Sequence, residues 1–281
     1  MDINRKKILI CGATSFVANG FKELLLQKGY EVDTFGRRNG SYLLIDKNEG
    51  LSKYYDAVVN FAVLKDQSIE ENVRYMEALV KMCKEHEVKK LIHFSSIMVY
   101  NYHLGQLDEN SPIETVADTM MEGYGKLKIA VDEYLNNVKI GLPFEVVMVR
   151  PGYVLADGRP APFIKRLPCG INVILGNEKS KQPIVRREDI HKALVKIIET
   201  EKNLPVYHLF QNNDITKYAF AKQMVGGLIL TLPKAIFERI PYLMMKLHII
   251  KPSLYSRFDG MYNYNVASSE MTEKKLKIQF K

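Results

Sequence analysis

The sequence predicts an α/β fold, in which a doubly wound parallel sheet is joined to a smaller C-terminal substrate-binding region. Short apolar runs alternate with stretches that have helical spacing. The first run ends at a glycine, and the chain just after Pro151 is rich in proline and glycine, with Pro160, Pro162, Pro168 and Gly170. With 281 residues, 47% of them hydrophobic, the chain can bury a large core.

The order of the elements favours a parallel sheet. Residues 7–11 are apolar and predict a strand, and residues 17–28 have the spacing of an amphipathic helix that ends at Gly29. Because right-handed crossovers place the connecting helices on both faces of such a sheet, this alternation is typical of a doubly wound fold. The other predicted strands lie at 31–35, 42–45, 57–62, 91–94 and 144–149, and the other predicted helices at 68–86 and 123–138.

The same elements suggest two parts of the chain. Residues 1–150 are predicted to form a dinucleotide-binding domain, to which residues of about 183–213 return, and residues 151–281 a substrate-binding region. Residues 219–250 are apolar with interspersed basic residues, which predicts a helix packed on the rest of the protein. An amphipathic helix that binds a membrane surface is the alternative for this stretch.

Composition narrows the function classes. The net charge of +8 is spread in mixed clusters, which favours a phosphorylated small molecule over nucleic acid. No signal sequence or membrane span is evident, so a cytoplasmic protein without stable membrane insertion is expected. Cys11, Cys83 and Cys169 lack the spacing of a disulfide framework or a metal site, and they are predicted to be buried thiols.

The turn after the first strand is a candidate phosphate site. Small residues between a strand and a helix let a pyrophosphate approach the free N–H groups there. The glycine pattern is only partly met, and a tight turn that needs one glycine is the alternative. The candidate cofactor-binding residues here are Gly12, Thr14, Ser15, Phe16 and Val17.

The end of the second strand indicates which dinucleotide is used. NAD enzymes usually carry an acid at this place, whereas NADP enzymes carry an arginine for the 2′-phosphate. Arg37 and Arg38 follow the strand without an acid, and guanidinium groups can hold a phosphate with two hydrogen bonds. NADPH is therefore predicted over NAD. A pair of solvated loop arginines is the alternative.

A tyrosine and a lysine supply the candidate proton chemistry. Tyr124 and Lys128 are four residues apart on a predicted helix and therefore share one face. A tyrosine with a pKa of about 10 loses its proton poorly near pH 7, but a neighbouring ammonium stabilises the phenolate. Ser96, at the end of a predicted strand, can hold a substrate oxygen. Ser96, Tyr124 and Lys128 are the candidate catalytic residues.

With these motifs the sequence resembles the extended short-chain dehydrogenase/reductase family, in particular its nucleotide-sugar epimerases, dehydratases and reductases, which have a Rossmann fold. The resemblance implies that Asp46 meets the adenine, that Lys128 binds ribose, and that Ser96 and Tyr124 act on a sugar carbonyl. It also implies that Arg257 holds the nucleotide pyrophosphate. Further family positions are Phe61, Ala62, Val63 and Pro151 for the cofactor, and Tyr153 for the substrate.

Departures from the family pattern limit the reaction. Met98 stands where the GDP-fucose synthase branch has a catalytic cysteine, no acid follows Ser96 as in dehydratases, and Tyr153 replaces a common substrate-binding asparagine. The resemblance therefore implies NADPH-dependent reduction of a 4-keto nucleotide sugar in bacterial surface-polysaccharide biosynthesis. A 4-epimerase with tightly bound NAD and a non-catalytic NADP-binding protein are the alternatives. A homodimer formed through helices near 72–86 and 124–138 is a further hypothesis.

Overall fold

A computed structural model describes residues 5–36, 45, 50–101, 104–119, 122–155, 161, 163–212, 215–251, 254–255 and 266–280. The described strands are β1 (Lys7–Cys11), β2 (Glu31–Phe35), β3 (Ala57–Asn60), β4 (Lys90–Phe94), β5 (Gln106–Leu107), β6 (Glu145–Pro151), β7 (Tyr153–Leu155), β8 (Ile164–Arg166), β9 (Asn172–Ile174), β10 (Ile184–Arg186), β11 (Val206–Leu209), β12 (Ile229–Thr231) and β13 (Val266–Ala267). The described helices are α1 (Phe21–Gln27), α2 (Ile69–Glu85), α3 (Tyr124–Val138), α4 (Arg187–Glu199), α5 (Lys217–Met224), α6 (Lys234–Lys246) and α7 (Glu270–Leu276).

Six of the strands form one parallel sheet in the order β11-β6-β4-β3-β1-β2. From β1 the chain first moves to β2 on one side, and it later returns to β3 on the other side. The strand order therefore reverses between β1 and β3, and ligands of open α/β sheets bind beside the carboxyl ends of the strands at such a point. The predicted doubly wound, Rossmann-type α/β fold is confirmed.

Helices cover both faces of this sheet because side chains alternate along each strand. Ile8 and Ile10 of β1 belong to a core with residues of α1 and α4, whereas Leu9 belongs to a second core with residues of α2 and α3. Leu276 and Phe280, at the end of the chain, also pack in the first core. The division of the chain near residue 150 stays a prediction.

Two predicted helices differ from the observed ones. The helix predicted at 17–28 begins only at Phe21, because Gly20 has a φ of 87° and residues before it form hydrogen-bonded turns. The single helix predicted at 219–250 is wrong. The chain there forms α5, β12 and α6, since Gly226 and Gly227 end the first helix and Pro233 precedes the second.

Three smaller predictions concern the ends of two strands, the burial of the cysteines and membrane-spanning helices. The strand predicted at 57–62 ends at Asn60, and residues 42–44 of another predicted strand lie outside the described residues. Cys11 and Cys83 are buried free thiols, but Cys169 is exposed, because it lies in the turn between β8 and β9. In the part of the chain that the structure describes, no helix is long and apolar enough to cross a membrane.

Candidate functional site

The turn after β1 lies against the loop after β3, at the point where the strand order reverses. Gly12 has a φ of +77°, and a Cβ added to it would lie 2.9 Å from the backbone nitrogen of Ala62. Only glycine fits both the backbone conformation and the close approach. The structure thus brings together two predicted cofactor-binding positions that are 50 residues apart in the sequence.

Hydrogen bonds fix the shape of this turn. The Ser15 backbone N–H donates to the Gly12 carbonyl at 2.9 Å, and the Ser15 hydroxyl accepts from the Ala18 N–H at 3.3 Å. From α4, the Nε2 of His191 donates to the Val17 carbonyl at 2.7 Å. Thr14 and Phe16 are exposed beside it, while Ser15 and Val17 are half-buried. These residues therefore stand in an ordered turn before α1 rather than in the first turn of a helix.

Asparagine side chains hold the loop after β3. The Asn60 Oδ1 accepts from the Ala62 N–H at 3.1 Å, and the Asn72 side chain both accepts from the Leu64 N–H and donates to its carbonyl, each at 2.9 Å. Between these two anchors, Phe61 and Ala62 are buried and Val63 is half-buried. These hydrogen bonds therefore hold the loop where Ala62 meets the Gly12 turn.

The end of β4 is tied to helix α3. Lys128 is buried, and its ammonium donates a hydrogen bond to the carbonyl of Phe94, the last residue of β4. Two residues further, Ser96 begins the short 3-10 turn Ile97–Val99, and its hydroxyl accepts from the Met98 N–H at 3.2 Å. Since this turn packs against α3, Ser96 lies near the end of β4 to which Lys128 is bound.

Tyr124, the first residue of α3, lies near two lysines. The Nζ of Lys128 is 5.8 Å from the centroid of the Tyr124 ring, and the Nζ of Lys65 is 5.6 Å from it. The ring is 38% exposed, so a substrate can reach it. Two ammonium groups therefore lie within 6 Å of the centre of one exposed phenol ring.

Sequence reasoning identified Tyr124 and Lys128 but missed Lys65. The available signal was its place five residues after β3, because loops at the carboxyl ends of parallel strands line the crevice of such a sheet. A lysine in a loop is most often a solvated surface residue, and only its position beside the Tyr124 ring distinguishes this one.

A buried ion pair lies next to Lys128 on α3. The Asp132 carboxylate, one helical turn after Lys128, accepts from the Ser95 hydroxyl at 2.8 Å and from the Arg150 guanidinium at 2.9 Å. Arg150 also donates to the Tyr100 hydroxyl at 2.6 Å. Asp132 and Arg150 are both almost fully buried, so this pair connects α3 firmly to β6.

Burial controls the charge of Lys128. Removal from water lowers the pKa of the Lys128 ammonium from 10.5 to about 8, although the Asp132 carboxylate raises it in part. The positive charges of Lys128 and Arg150 add to burial in holding the pKa of His93 well below its ordinary value. His93 is therefore neutral at pH 7, whereas Lys128 is still mainly charged.

The remaining predicted residues lie at two other places. Pro151 ends β6 opposite Leu209 of β11, and Tyr153 begins β7, where its N–H donates to the Pro183 carbonyl at 2.7 Å. Between them Gly152 is required, because a Cβ there would lie 2.3 Å from the same carbonyl oxygen. The predicted positions Arg37, Arg38, Asp46 and Arg257 lie outside the described residues.

A parallel sheet with a glycine turn at its switch point, together with a tyrosine and a lysine one helical turn apart, defines an NAD(P)-dependent enzyme of the short-chain dehydrogenase/reductase type. The chain belongs to the NAD dependent epimerase/dehydratase family, whose model matches residues 8–211. The family resemblance predicted from the sequence is thereby confirmed. No curated protein matched the sequence.

Solved structures with the same fold span nearly the whole chain. The human epimerase family protein SDR39U1 (isoform 2), solved with NADPH, is 19% identical, with a TM-score of 0.71 over 98% of this chain and 94% of that chain. A UDP-glucuronic acid 4-epimerase from Bacillus cereus, in complex with UDP-glucuronic acid and NAD, is 16% identical, with a TM-score of 0.67 over 96% and 93% of the two chains. A short-chain dehydrogenase/reductase superfamily protein from Agrobacterium tumefaciens with bound NAD is 15% identical, with a TM-score of 0.69 over 98% and 92%.

The pKa of Lys128 predicts how activity depends on pH. If the ammonium promotes proton transfer by Tyr124, kcat/KM should fall by about tenfold per pH unit above pH 8, where Lys128 becomes neutral in the native protein. A Lys128→Arg variant that keeps activity should not show this decrease of kcat/KM at high pH, because its guanidinium stays charged. Rates measured between about pH 6 and pH 10 test this, and a flat profile of the unaltered protein would contradict it.

The same shift predicts the sign of a change in stability. Between pH 8 and pH 10.5 the unfolded chain keeps the Lys128 proton while the native state has lost it, so the free energy of unfolding should rise with pH through this window. Urea unfolding of Lys128→Met should lack this contribution, and its comparison with the unaltered protein isolates the lysine.

Proposed function

We propose that this protein reduces a 4-keto nucleotide sugar with NADPH. The observation that carries the proposal is the half-exposed Tyr124 ring with the ammonium groups of Lys65 and Lys128 at 5.6 and 5.8 Å from its centroid. A phenol whose ionised form is stabilised in this way can give a proton to a carbonyl oxygen near neutral pH. The family to which the chain belongs supports a nicotinamide cofactor.

The residues present fit a dinucleotide. The Gly12 turn, which leaves no room for a Cβ, lies against Ala62 at the switch point, where a pyrophosphate can approach the backbone closely. The turn at Ser15 and Val17 and the loop at Ala62 would hold the dinucleotide, and Lys128 would meet its ribose. When bound, the nicotinamide supplies the hydride.

The chain itself supplies the proton and the positioning. The Ser96 hydroxyl would donate a hydrogen bond to the substrate carbonyl oxygen and orient it toward Tyr124. The Tyr124 hydroxyl would then give its proton to this oxygen, and the charges of Lys65 and Lys128 would stabilise the phenolate that remains. Tyr153 and Arg257 are the proposed contacts to the nucleotide sugar, of which Arg257 would hold the pyrophosphate.

The preference for NADPH is proposed from Arg37 and Arg38, which would grip the 2′-phosphate. We expect Arg37→Ala to raise the Kd of NADPH by about tenfold or more and to leave the Kd of NADH nearly unchanged, since one charge-assisted contact is lost. Titration calorimetry measures both constants, and Arg74→Ala, an exposed arginine on α2, is the matched control. Equal Kd values for NADPH in Arg37→Ala and the unaltered protein would remove the assignment.

The substrate class is tested directly. Mass spectrometry of the ligand released from purified protein, followed by NADPH oxidation with a panel of 4-keto sugar nucleotides, should give turnover with added NADPH. The epimerase alternative has support from solved 4-epimerases of the same fold, with bound NAD. It predicts released NAD, sugar interconversion without added cofactor, and no net NADPH oxidation. A place in surface-polysaccharide biosynthesis, a cytoplasmic location and a homodimer stay predictions.

A further inference from the structure

Helix α6 turns a row of apolar side chains toward solvent. Ile236, Ile240, Leu243 and Leu247 recur at a spacing of four, three and four residues, and at about 100° per residue this keeps them within an arc of about 60°. They are 42 to 61% exposed, and Ile249, just beyond the helix, is 63% exposed. These five side chains are called the α6 surface.

The orientation of α6 is unusual for a helix on a water-soluble surface. Such helices turn the apolar face to the core and the charged face to water. In α6, Pro241 is buried and Met244 and Met245 are half-buried, so the protein already occupies the opposite side of the helix. The α6 surface is therefore a second apolar face, which the described part of the chain leaves open.

Positive charge borders this face on one side and at its end. Residues 222–251 contain five basic residues and one acidic residue, a net charge of +4 and thus half of the +8 of the whole chain. Arg239 and Lys246 are exposed and lie along one side of the apolar row, and Lys251 is exposed beyond its end. The Lys246 ammonium is 5.6 Å from the centroid of the Tyr242 ring, which is itself exposed.

We propose that the α6 surface binds the surface of a membrane that contains anionic lipids. Aliphatic side chains in a row, with basic residues and a tyrosine at their edge, are what an interfacial helix inserts at the boundary of headgroups and acyl chains. The cations meet the negative headgroups at the same depth. The protein is held peripherally, and this attachment does not depend on the reaction proposed above.

Two other occupants fit less well. A second copy, paired through a two-fold axis, brings the same surface against itself, so Arg239 and Lys246 of both copies lie together with little acidic charge to compensate. A partner protein usually binds through buried tryptophan, tyrosine and arginine anchors, and leucine is under-represented among them. The α6 surface consists of leucine and isoleucine side chains, four of which form the row along α6. A lipid surface needs no shape complementarity.

Sedimentation of the full-length protein with vesicles tests the proposal. Vesicles of phosphatidylcholine with added phosphatidylglycerol should bind the protein, whereas pure phosphatidylcholine vesicles should not, and raising the salt from about 0.1 M to about 0.5 M should release it. Leu243→Asp should lower binding at least about tenfold, and Lys246→Glu should lower binding to anionic vesicles.

Matched controls separate this surface from general effects. Ile140→Asp changes the most exposed large apolar residue among those described, at 91%, and Lys202→Glu changes an exposed lysine elsewhere. Both should leave vesicle binding unchanged, and circular dichroism should show that all variants fold. Failure of the unaltered protein to bind anionic vesicles overturns the proposal. If light scattering instead shows self-association that Leu243→Asp abolishes, the surface belongs to a second copy and the proposal is equally overturned.

Discussion

Replacing Tyr124 with phenylalanine should lower kcat by about 10³-fold, the usual contribution of a positioned general acid. The Kd of NADPH should change by less than about twofold, because the lost hydroxyl is proposed to contact the substrate and not the dinucleotide. Stopped-flow or steady-state oxidation of NADPH, with the sugar nucleotide found in the panel, measures the first quantity. Fluorescence titration with NADPH measures the second.

The size of this effect follows from the surroundings of the ring. Lys65 and Lys128 both lie within 6 Å of the Tyr124 ring centroid, so in the proposed reaction their charge would act on the phenolate that proton transfer leaves. Phenylalanine keeps the ring but has no proton to give. The surrounding packing should change little, since the ring is 38% exposed.

A matched control is available at the other end of the sheet. Tyr54 is 39% exposed and lies beside Asp56 and Lys89, near the amino ends of the strands. Tyr54→Phe removes the same hydroxyl at the same exposure and should leave kcat unchanged. Full turnover in Tyr124→Phe would eliminate the proposed proton donor, whereas equal losses in both variants would indicate a general effect on the fold.

Much of the fold was predictable because it depends on short-range patterns. The strands at 7–11 and 31–35 were predicted without error, since Gly12 ends the first strand and Gly29 stands shortly before the second. The region 219–250 was not, because its apolar spacing is compatible with one helix or several elements. There, local glycine and proline residues decide the outcome, and β12 pairs with β9, far away in the sequence.

The candidate site was predictable where chemistry and spacing coincide in one helix. Tyr124 and Lys128 are neighbours on α3 by helix geometry alone. Lys65 comes from another loop, and Asp132 and Arg150 meet only because α3 packs on the sheet. Contacts between elements that are distant in sequence leave no spacing signal, so these residues required the structure.

Asp132→Ala should destabilise the protein by about 3 to 5 kcal/mol, because it leaves the Arg150 guanidinium buried without its counter-ion. In the described structure the Arg150 guanidinium donates to the side chains of Asp132 and Tyr100, so of these two only the Tyr100 hydroxyl would remain. Urea unfolding followed by circular dichroism measures the change. By comparison, Arg74→Ala removes a surface ion pair in which the Arg74 Nη1 is 3.0 Å from the Glu71 Oε1. This change should lower the free energy of unfolding by at most about 1 kcal/mol.

A double variant separates charge from packing. In Asp132→Leu with Arg150→Met neither charge of the pair remains, and apolar side chains fill much of the space, so most of the lost stability should return. A double variant as unstable as Asp132→Ala would instead assign the loss to the hydrogen bonds and packing of α3 on β6.

Asp132 also raises the pKa of Lys128. In Asp132→Ala the decrease of kcat/KM at high pH should therefore begin at a lower pH. If Asp132→Ala is as stable as the unaltered protein and its kcat/KM falls at the same pH, the carboxylate supports neither the fold nor the charge of Lys128.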